Sequence, residues 1–244
     1  MQVTFIGSGN AFGSGGRFNT CFLLAGRECR LLVDCGASSL VALKQRGVDP
    51  NDIDGVVLTH LHGDHFGGLP FFLLDARHMS KRTRPFFIWG PAGLPARLSA
   101  AQEALFPGSS LAPHAFPYDY VEHAALRRRA GRGFAVTPFP AEHSAGAPCF
   151  SLRVEMDGKV VSYSGDSAWT DALLAAAADA DLFICECSSY ERPLPGHIDY
   201  ARLKPRLAGV SARRTILTHL NPDMLERRDT LAHETASDGL TISL

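Results

Sequence analysis

The stretch Gly55 to Pro70, GVVLTHLHGDHFGGLP, constrains this chain more than any other. GVVL reads as a short buried strand, and directly behind it His60, His62, Asp64 and His65 fall within six positions. A solvated loop has no need of so many imidazoles, and a core tolerates them only when each ring is partnered. Borderline divalent ions do need them, as neutral nitrogens and a carboxylate held in a fixed array. His60 and His62, two apart at the strand end, are expected to point to one side by the period of the pleat and to share one ion. Asp64 and His65 lie past Gly63, where the chain turns into a helix, and suit a second ion or its bound water.

A two-metal site needs further ligands, and three candidates stand where apolar strands run into turns: His143 in FPAEHSAGAP, Asp166 in VVSYSGDSAW and His219 in TILTHLNPD. Asp166 is the natural bridge, since one carboxylate can hold two cations roughly 3.5–4 Å apart. The remaining pattern suggests how such distant residues meet. QVTFIG, NTCFLLAG, RLLVDCG, IDGVVLTH and RPFFIWGP read as strands, with helices over SSLVALKQRG, over DHFGGLPFFLLDARH after its glycines, and over AGLPARLSAAQEALFPG. The second half repeats the theme: strands in GFAVTPFPAEH, CFSLRVEMDG, KVVSYSGD, DLFICECS and RTILTHL, helices in TDALLAAAADA and IDYARLKPRLAGV. Two strand-rich halves with helices outside predict two sheets packed face to face, a four-layer αββα sandwich forming one domain over residues 1–244. APHAFPYDY, rich in Pro, His and Tyr, reads as a connection.

In these segments and their order the chain resembles the metallo-β-lactamase superfamily, and within it the branch of ribonuclease Z and its phosphodiesterase relatives. The resemblance covers essentially the whole chain, through VTFIGSGNAFGSGGRFNTCFLL, LLVDCG, THLHGDHFGGLP, WGPAGL, YSGD, ECSS, GHIDYARL and LTHL. It implies two divalent ions, zinc by default with manganese or iron as alternatives. One would be held by His60, His62 and His143, the second by Asp64, His65 and His219, with Asp166 bridging. It further implies a nucleophilic hydroxide between the ions, with Asp64 able to hold that water's proton. His197 in PLPGHIDYARL matches the branch's Gly-His-Ser/Thr segment, whose histidine stabilises phosphoryl oxygens and helps protonate the leaving group. The plainer alternative is an exposed histidine ahead of a helix capped by Asp199.

The other features point to ordinary surface and core. A formal charge of −1 gives no global attraction to nucleic acid or anionic membranes. The N-terminus lacks a basic and apolar leader, and the apolar runs fall short of the roughly 20 residues that cross a bilayer, so a cytoplasmic location is expected. Six cysteines without a CxxC pair read as buried thiols, and Cys185 and Cys187 are poorly spaced for zinc. GSGNAFGSGG lacks the lysine of a phosphate loop; Ser8, Asn10 and Arg17 are instead candidates to line the entrance. His78, His114, His123 and His233 have no spaced partner and read as non-ligands. The basic runs Arg77 to Arg84 and Arg127 to Arg132 read as solvated surface, with docking of an anionic substrate or RNA as the alternative.

Two departures bear on function. Only about 30 residues separate YSGD from GHIDY, which leaves no room for the arm with which a tRNA-processing ribonuclease Z holds its substrate. After His219 the chain reads NPDM, where that enzyme has Ser-x-Arg-Tyr. The expectation is a hydrolase of a small or short anionic phosphodiester, such as a cyclic nucleotide. A lactonase or thioesterase is the alternative within the fold, ahead of tRNA 3′-end cleavage, short nucleic acid or a non-catalytic binding module. The resemblance also carries the expectation of a homodimer.

Overall fold

The computed structural model describes residues 1–111 and 116–244; His114 lies outside the described residues. The first half runs β1 (Gln2–Gly7), β2 (Cys21–Ala25), β3 (Arg30–Val33), α1 (Ser39–Gln45), β4 (Gly55–Val57), α2 (Gly63–Phe66), α3 (Leu69–His78), β5 (Phe86–Gly90), α4 (Leu94–Leu105) and β6 (Tyr118–Glu122). The second runs β7 (Arg129–Gly131), β8 (Phe134–Pro140), β9 (Phe150–Met156), β10 (Lys159–Tyr163), α5 (Asp171–Ala177), β11 (Leu182–Glu186), α6 (Tyr200–Arg206), β12 (Thr215–Thr218), α7 (Pro222–Arg227), β13 (Glu234–Thr235) and β14 (Thr241–Ser243).

Among the described residues these strands make two sheets, β14-β1-β2-β3-β4-β5-β6 and β13-β12-β11-β10-β9-β8-β7. Each is antiparallel at one end and parallel at the other, from β3 onward in the first and from β10 onward in the second. Strand alternation builds the layers. Leu31 and Val33 of β3 join Leu182 and Ile184 of β11 in a core shared by both sheets. Leu32 faces the other way, into an outer core with Leu43, Phe72 and Leu98 from α1, α3 and α4. Phe183 and Cys185 do the same on the far side, against Leu173 of α5 and Leu203 of α6. Helix, sheet, sheet, helix is therefore the stacking order, as the pattern predicts.

Several sequence readings shift in detail. β4 stops at Val57, so His60 and His62 lie in the loop beyond the strand and not on its pleat. Helix begins at Gly63, ahead of Gly67 and Gly68, because α2 forms a short turn before α3 starts. The connection after Pro117 becomes strand β6, paired to β5, and part of the Arg127–Arg132 run becomes the edge strand β7. All six cysteines are free and buried. The run Arg77 to Arg84 is not uniformly surface. Arg82 is 3% exposed, donates to the carbonyl oxygens of Arg84, Pro85, Pro50 and Asn51, and lies over the rings of Phe86 and Phe116. It is an internal strut for a loop rich in backbone carbonyls.

Candidate metal centre

The site forms where strands of both sheets reach their carboxyl ends. Asp34 follows β3, the His60–His65 segment follows β4, His143 follows β8, Asp166 follows β10, Glu186 ends β11 and His219 follows β12. Close backbone packing draws these ends together. A Cβ on Gly36 would stand 2.1 Å from the Asp64 carbonyl oxygen, so only glycine lets the ligand-bearing turn sit against the β3 end. Gly196, at φ 71, places its carbonyl 2.9 Å from His143 Nδ1, and a Cβ there would stand 2.8 Å from that same nitrogen.

The seven residues singled out from sequence as ligands converge in two adjoining groups, His60, His62 and His143 in one and Asp64, His65, Asp166 and His219 in the other. In the first, His62 Nδ1 lies 3.2 Å from His60 Nε2 and 3.1 Å from His143 Nε2. The outer nitrogens fix the tautomers. His143 Nδ1 donates to the Gly196 carbonyl, and His60 Nδ1 faces the Thr59 hydroxyl at 3.0 Å, which itself bonds the Asp34 carboxylate. That leaves the Nε2 lone pairs of His60 and His143 pointing inward. Burial, and then the neighbouring imidazoles His65 for His60 and His143 for His62, hold both rings below the usual histidine range, so both are neutral at pH 7.

In the second group, His65 donates Nδ1–H to Asp34 Oδ2 at 2.7 Å, which turns its Nε2 toward Asp64 Oδ2 and Asp166 Oδ1, each 3.3 Å away. His219 Nε2 lies 3.2 Å from Asp64 Oδ2 and 3.5 Å from Asp166 Oδ2. Asp166 Oδ2 is also 3.9 Å from His60 Nε2 and 4.0 Å from His143 Nε2, so this carboxylate touches both groups. Burial alone would raise both aspartates. His65 for Asp64, and His219 with His65 for Asp166, outweigh it and keep both carboxyls well below their usual range.

This donor set fits divalent ions on a physical test. His65 Nε2 and Asp166 Oδ1 are buried and face each other at 3.3 Å, with no other hydrogen-bond partner among the described residues. Without an ion, a proton on His65 must bridge this pair; against the cost of burial, Asp166, Asp64 and Asp34 hold that imidazole well above the usual histidine range. A divalent cation would take the proton's place, and the facing nitrogens of His60, His62 and His143 offer lone pairs to another. Nitrogen and carboxylate donors in these numbers suit zinc, manganese or iron alike. Among the described residues no cysteine joins a group of potential ligands.

His197 belongs here too. Its Nδ1 lies 3.1 Å from Glu186 Oε2 and 4.0 Å from Asp166 Oδ2, and its ring stands 4.9 Å from that of His143. Burial works against its charge, but the hydrogen bond to Glu186 and the surrounding carboxylates raise it to about 9. Asp199 does cap α6, accepting from Arg202 N at 2.9 Å, so the cap and the inward histidine coexist.

Sequence reasoning missed two residues that orient these side chains. Glu186, fully buried, accepts from Ser167 N at 2.6 Å and Ser188 Oγ at 2.7 Å as well as facing His197. Asp34, equally buried and at φ 59, accepts from Thr59 N at 2.8 Å while holding His65. The signal was a carboxylate at the end of an apolar strand, in LLVD and LFICE. The entrance residues proposed from the glycine-rich loop are corrected. Ser8 and Asn10 are buried; Arg17 Nη1 donates to the Ala236 carbonyl and Asn10 Nδ2 to Asn221 Oδ1. The loop instead braces the site, since the Ser8 carbonyl accepts from His219 N, a residue held at φ 63.

A family model described as Anti-Pycsar protein Apyc1 matches residues 1–238. The chain belongs to this family. Among relatives of this Apyc1-family chain, the uncharacterized protein Rv1339 of Mycobacterium tuberculosis is 30% identical over 242 residues, covering 97% of this chain and 86% of that protein. Human tRNase Z, short form (ELAC1), superposes with a TM-score of 0.80 at 25% identity, covering 100% of this chain and 99% of that one. The metallo-beta-lactamase fold protein YhfI of Bacillus subtilis superposes with a TM-score of 0.77 at 20% identity, covering 99% of each chain. The Apyc1-family chain thus has the metallo-β-lactamase fold of the ribonuclease Z branch and is a metal-dependent hydrolase. No helix among the described residues is long and apolar enough to cross a membrane.

Proposed function

We propose that this chain hydrolyses a small or short anionic phosphodiester, of the size of a cyclic nucleotide, at a dinuclear centre. One ion is assigned to His60, His62 and His143, the other to Asp64, His65 and His219, with Asp166 shared. The observation that carries the reading is Asp166 standing within 3.3–4.0 Å of ring nitrogens from both groups, with His197 beside it. Two divalent ions there supply Lewis acidity and a nucleophilic water at neutral pH.

The chain's own residues supply the rest. Asp64 is assigned to take up the proton of the attacking water. His197, with Nδ1 engaged by Glu186, has Nε2 left to donate to a phosphoryl oxygen or to the departing alkoxide. That second donor favours a phosphodiester over a lactone, whose cleavage leaves one oxyanion fewer to stabilise. Two features support a small substrate over tRNA. Between Asp166 and Gly196 the described chain holds only α5 and β11, with no projecting arm. The NPDM segment turns inward as the start of α7, with Met224 fully buried, and brings no cation to the site.

The test is metal content and substrate profile on one sample. About two ions per chain are expected, together with hydrolysis of bis-p-nitrophenyl phosphate and of cyclic nucleotides but not of aryl sulfates. Turnover of lactones alone would overturn the phosphodiester reading, and inactivity toward every ester with two ions bound would overturn the hydrolytic one.

A further inference from the structure

Away from the metal centre, β6 is the last strand of the first sheet and β7 the last of the second. A pocket of about 150 Å³ opens where these edges meet, and its lining includes Trp89, Glu122, His123 and the consecutive arginines Arg127, Arg128 and Arg129. None of the seven assigned metal ligands lines it. A hydrogen bond from His123 Nε2 to the Leu58 carbonyl ties its wall to the segment that carries His60. Its size suits one small charged group, since a whole drug-sized ligand takes roughly 300–1,000 Å³.

The backbone is bent to deliver these arginines. Leu126 stands at φ 60, a left-handed conformation that is costly for any residue with a Cβ, yet its side chain is 60% exposed. The turn is pinned by Leu126 N donating to the Pro138 carbonyl at 2.7 Å and Arg127 N to the Ala124 carbonyl at 3.1 Å. So exposed a leucine gains little burial in return for the strain. What the turn secures is the placement of the three residues that follow it.

Their charges are unevenly compensated. Arg128 is paired in bidentate fashion, with Nε 3.0 Å from Glu155 Oε1 and Nη2 2.9 Å from Glu155 Oε2. Glu122, the one carboxylate in the lining, accepts from Gly93 N at 2.8 Å through Oε1. Arg127 and Arg129 have no ion pair or side-chain hydrogen bond among the described residues. Arg129 is held instead over the ring of Trp89 at 5.7 Å, an indole only 6% exposed. A guanidinium fixed by stacking loses little freedom when its N–H fork takes a ligand. Two unpaired guanidinium groups are balanced by two negative charges on neighbouring oxygens, which a phosphate dianion carries and a carboxylate does not. A nucleic-acid strand calls for a longer row of cations, and here Glu122 and Glu155 flank the pair.

We propose that this pocket binds a phosphate dianion, free or as the head of a phosphate monoester, through Arg127 and Arg129 at a site separate from the dinuclear centre. Binding there needs no metal and takes no part in hydrolysis, so it stands or falls independently of the function proposed above.

Trp169→Phe leaves Trp89 as the sole tryptophan, under Arg129. Metal-loaded protein with this substitution is titrated with inorganic phosphate and with glycerol 3-phosphate, against sodium chloride at equal ionic strength. A saturable change in Trp89 emission is expected with phosphate and none with chloride, and tighter binding of one phosphate compound tells whether the pocket favours the free ion or the monoester. Arg127→Gln, which leaves the Arg129–Trp89 stack in place, should raise the half-saturating concentration about 10-fold or more, and Arg127→Lys should recover part of the loss. Calorimetry on the same samples should count one phosphate fewer in Arg127→Gln than in its parent. Phosphate also has affinity for divalent ions, so the titration is repeated with Asp166→Asn, where the Trp89 response should persist. Loss of the response with Asp166→Asn would place the phosphate at the dinuclear centre and overturn the proposal. An unchanged titration in Arg127→Gln, or a change that never saturates, would do the same. An RNA oligomer with a 5′-hydroxyl end that elicits the response where neither phosphate compound does would overturn it in favour of strand docking.

Discussion

The two sheets furnish the candidate centre in different ways. The first contributes His60, His62, Asp64 and His65 from a single turn, and one residue, Asp34, sets the orientation of that turn through Thr59 and His65. The second contributes His143, Asp166, Glu186, His197 and His219 from separate strand ends and loops, with Glu186 as their buried anchor. One half is therefore a local motif pinned by an outer carboxylate, and the other is an assembly that exists only once the sheet has formed. The difference predicts that the first half tunes how tightly metal is held and the second tunes what is done with it.

Asp166 is where the halves join, and its replacement has the largest expected effect. Asp166→Asn removes the charge that faces His60, His65, His143 and His219. Activity should fall by 10³-fold or more, with at least one ion lost by elemental analysis. Retention of two ions and of turnover within tenfold would show that the halves bind metal separately.

A smaller effect lies behind the first half. His123, just past the end of β6, is half-buried and donates Nε2–H to the Leu58 carbonyl, two residues before His60. Burial depresses its pKa to about 4, against about 6.5 in an unfolded chain. The unfolded state therefore binds a proton first as pH falls, so this histidine's share of stability is intact above about 6.5 and drains away down to about 4. The loss is about 3 kcal/mol. In denaturant titrations the stability gap between wild type and His123→Asn should narrow by about that amount from pH 7 to pH 4. A gap independent of pH would mean that His123 is already charged in the fold.

The same contrast explains what could be read in the sequence. The ligands of the first half announce themselves because a turn compresses them into six residues, and the layer order follows from alternation in strands such as LLV and LFIC. His143, Asp166 and His219 were legible only as polar residues at the ends of apolar strands, and their roles came from resemblance. Asp34 and Glu186 escaped because their partners, His65 and His197, are made neighbours by sheet pairing rather than by spacing. The pleat argument for His60 and His62 gave the right convergence by the wrong geometry. The strand has already ended, and the rings meet through Nε2 of one and Nδ1 of the other. Arg82 was misjudged for a related reason, since a composition-based reading of a basic run cannot see four backbone carbonyls converging on one guanidinium.

The two outer carboxylates give the finest test of the comparison, through effects of about 10- to 100-fold each. Asp34→Asn keeps the shape but loses the charge that holds His65 Nδ1–H, so metal affinity should drop by that factor while added metal restores most of kcat. Glu186→Gln keeps every assigned ligand, so both ions should remain, but His197 loses the anion that orients it and kcat should fall 10- to 100-fold with no rescue by metal. Metal titrations monitored by turnover, alongside elemental analysis, distinguish the outcomes. If Glu186→Gln is rescued by metal, Glu186 belongs to the ion-holding set, and the cluster of Asp166, Glu186, His197 and His219 would be a cation site in its own right. If Asp34→Asn is not rescued, the Asp34 network does more than orient a ligand, and the division of labour between the two sheets fails.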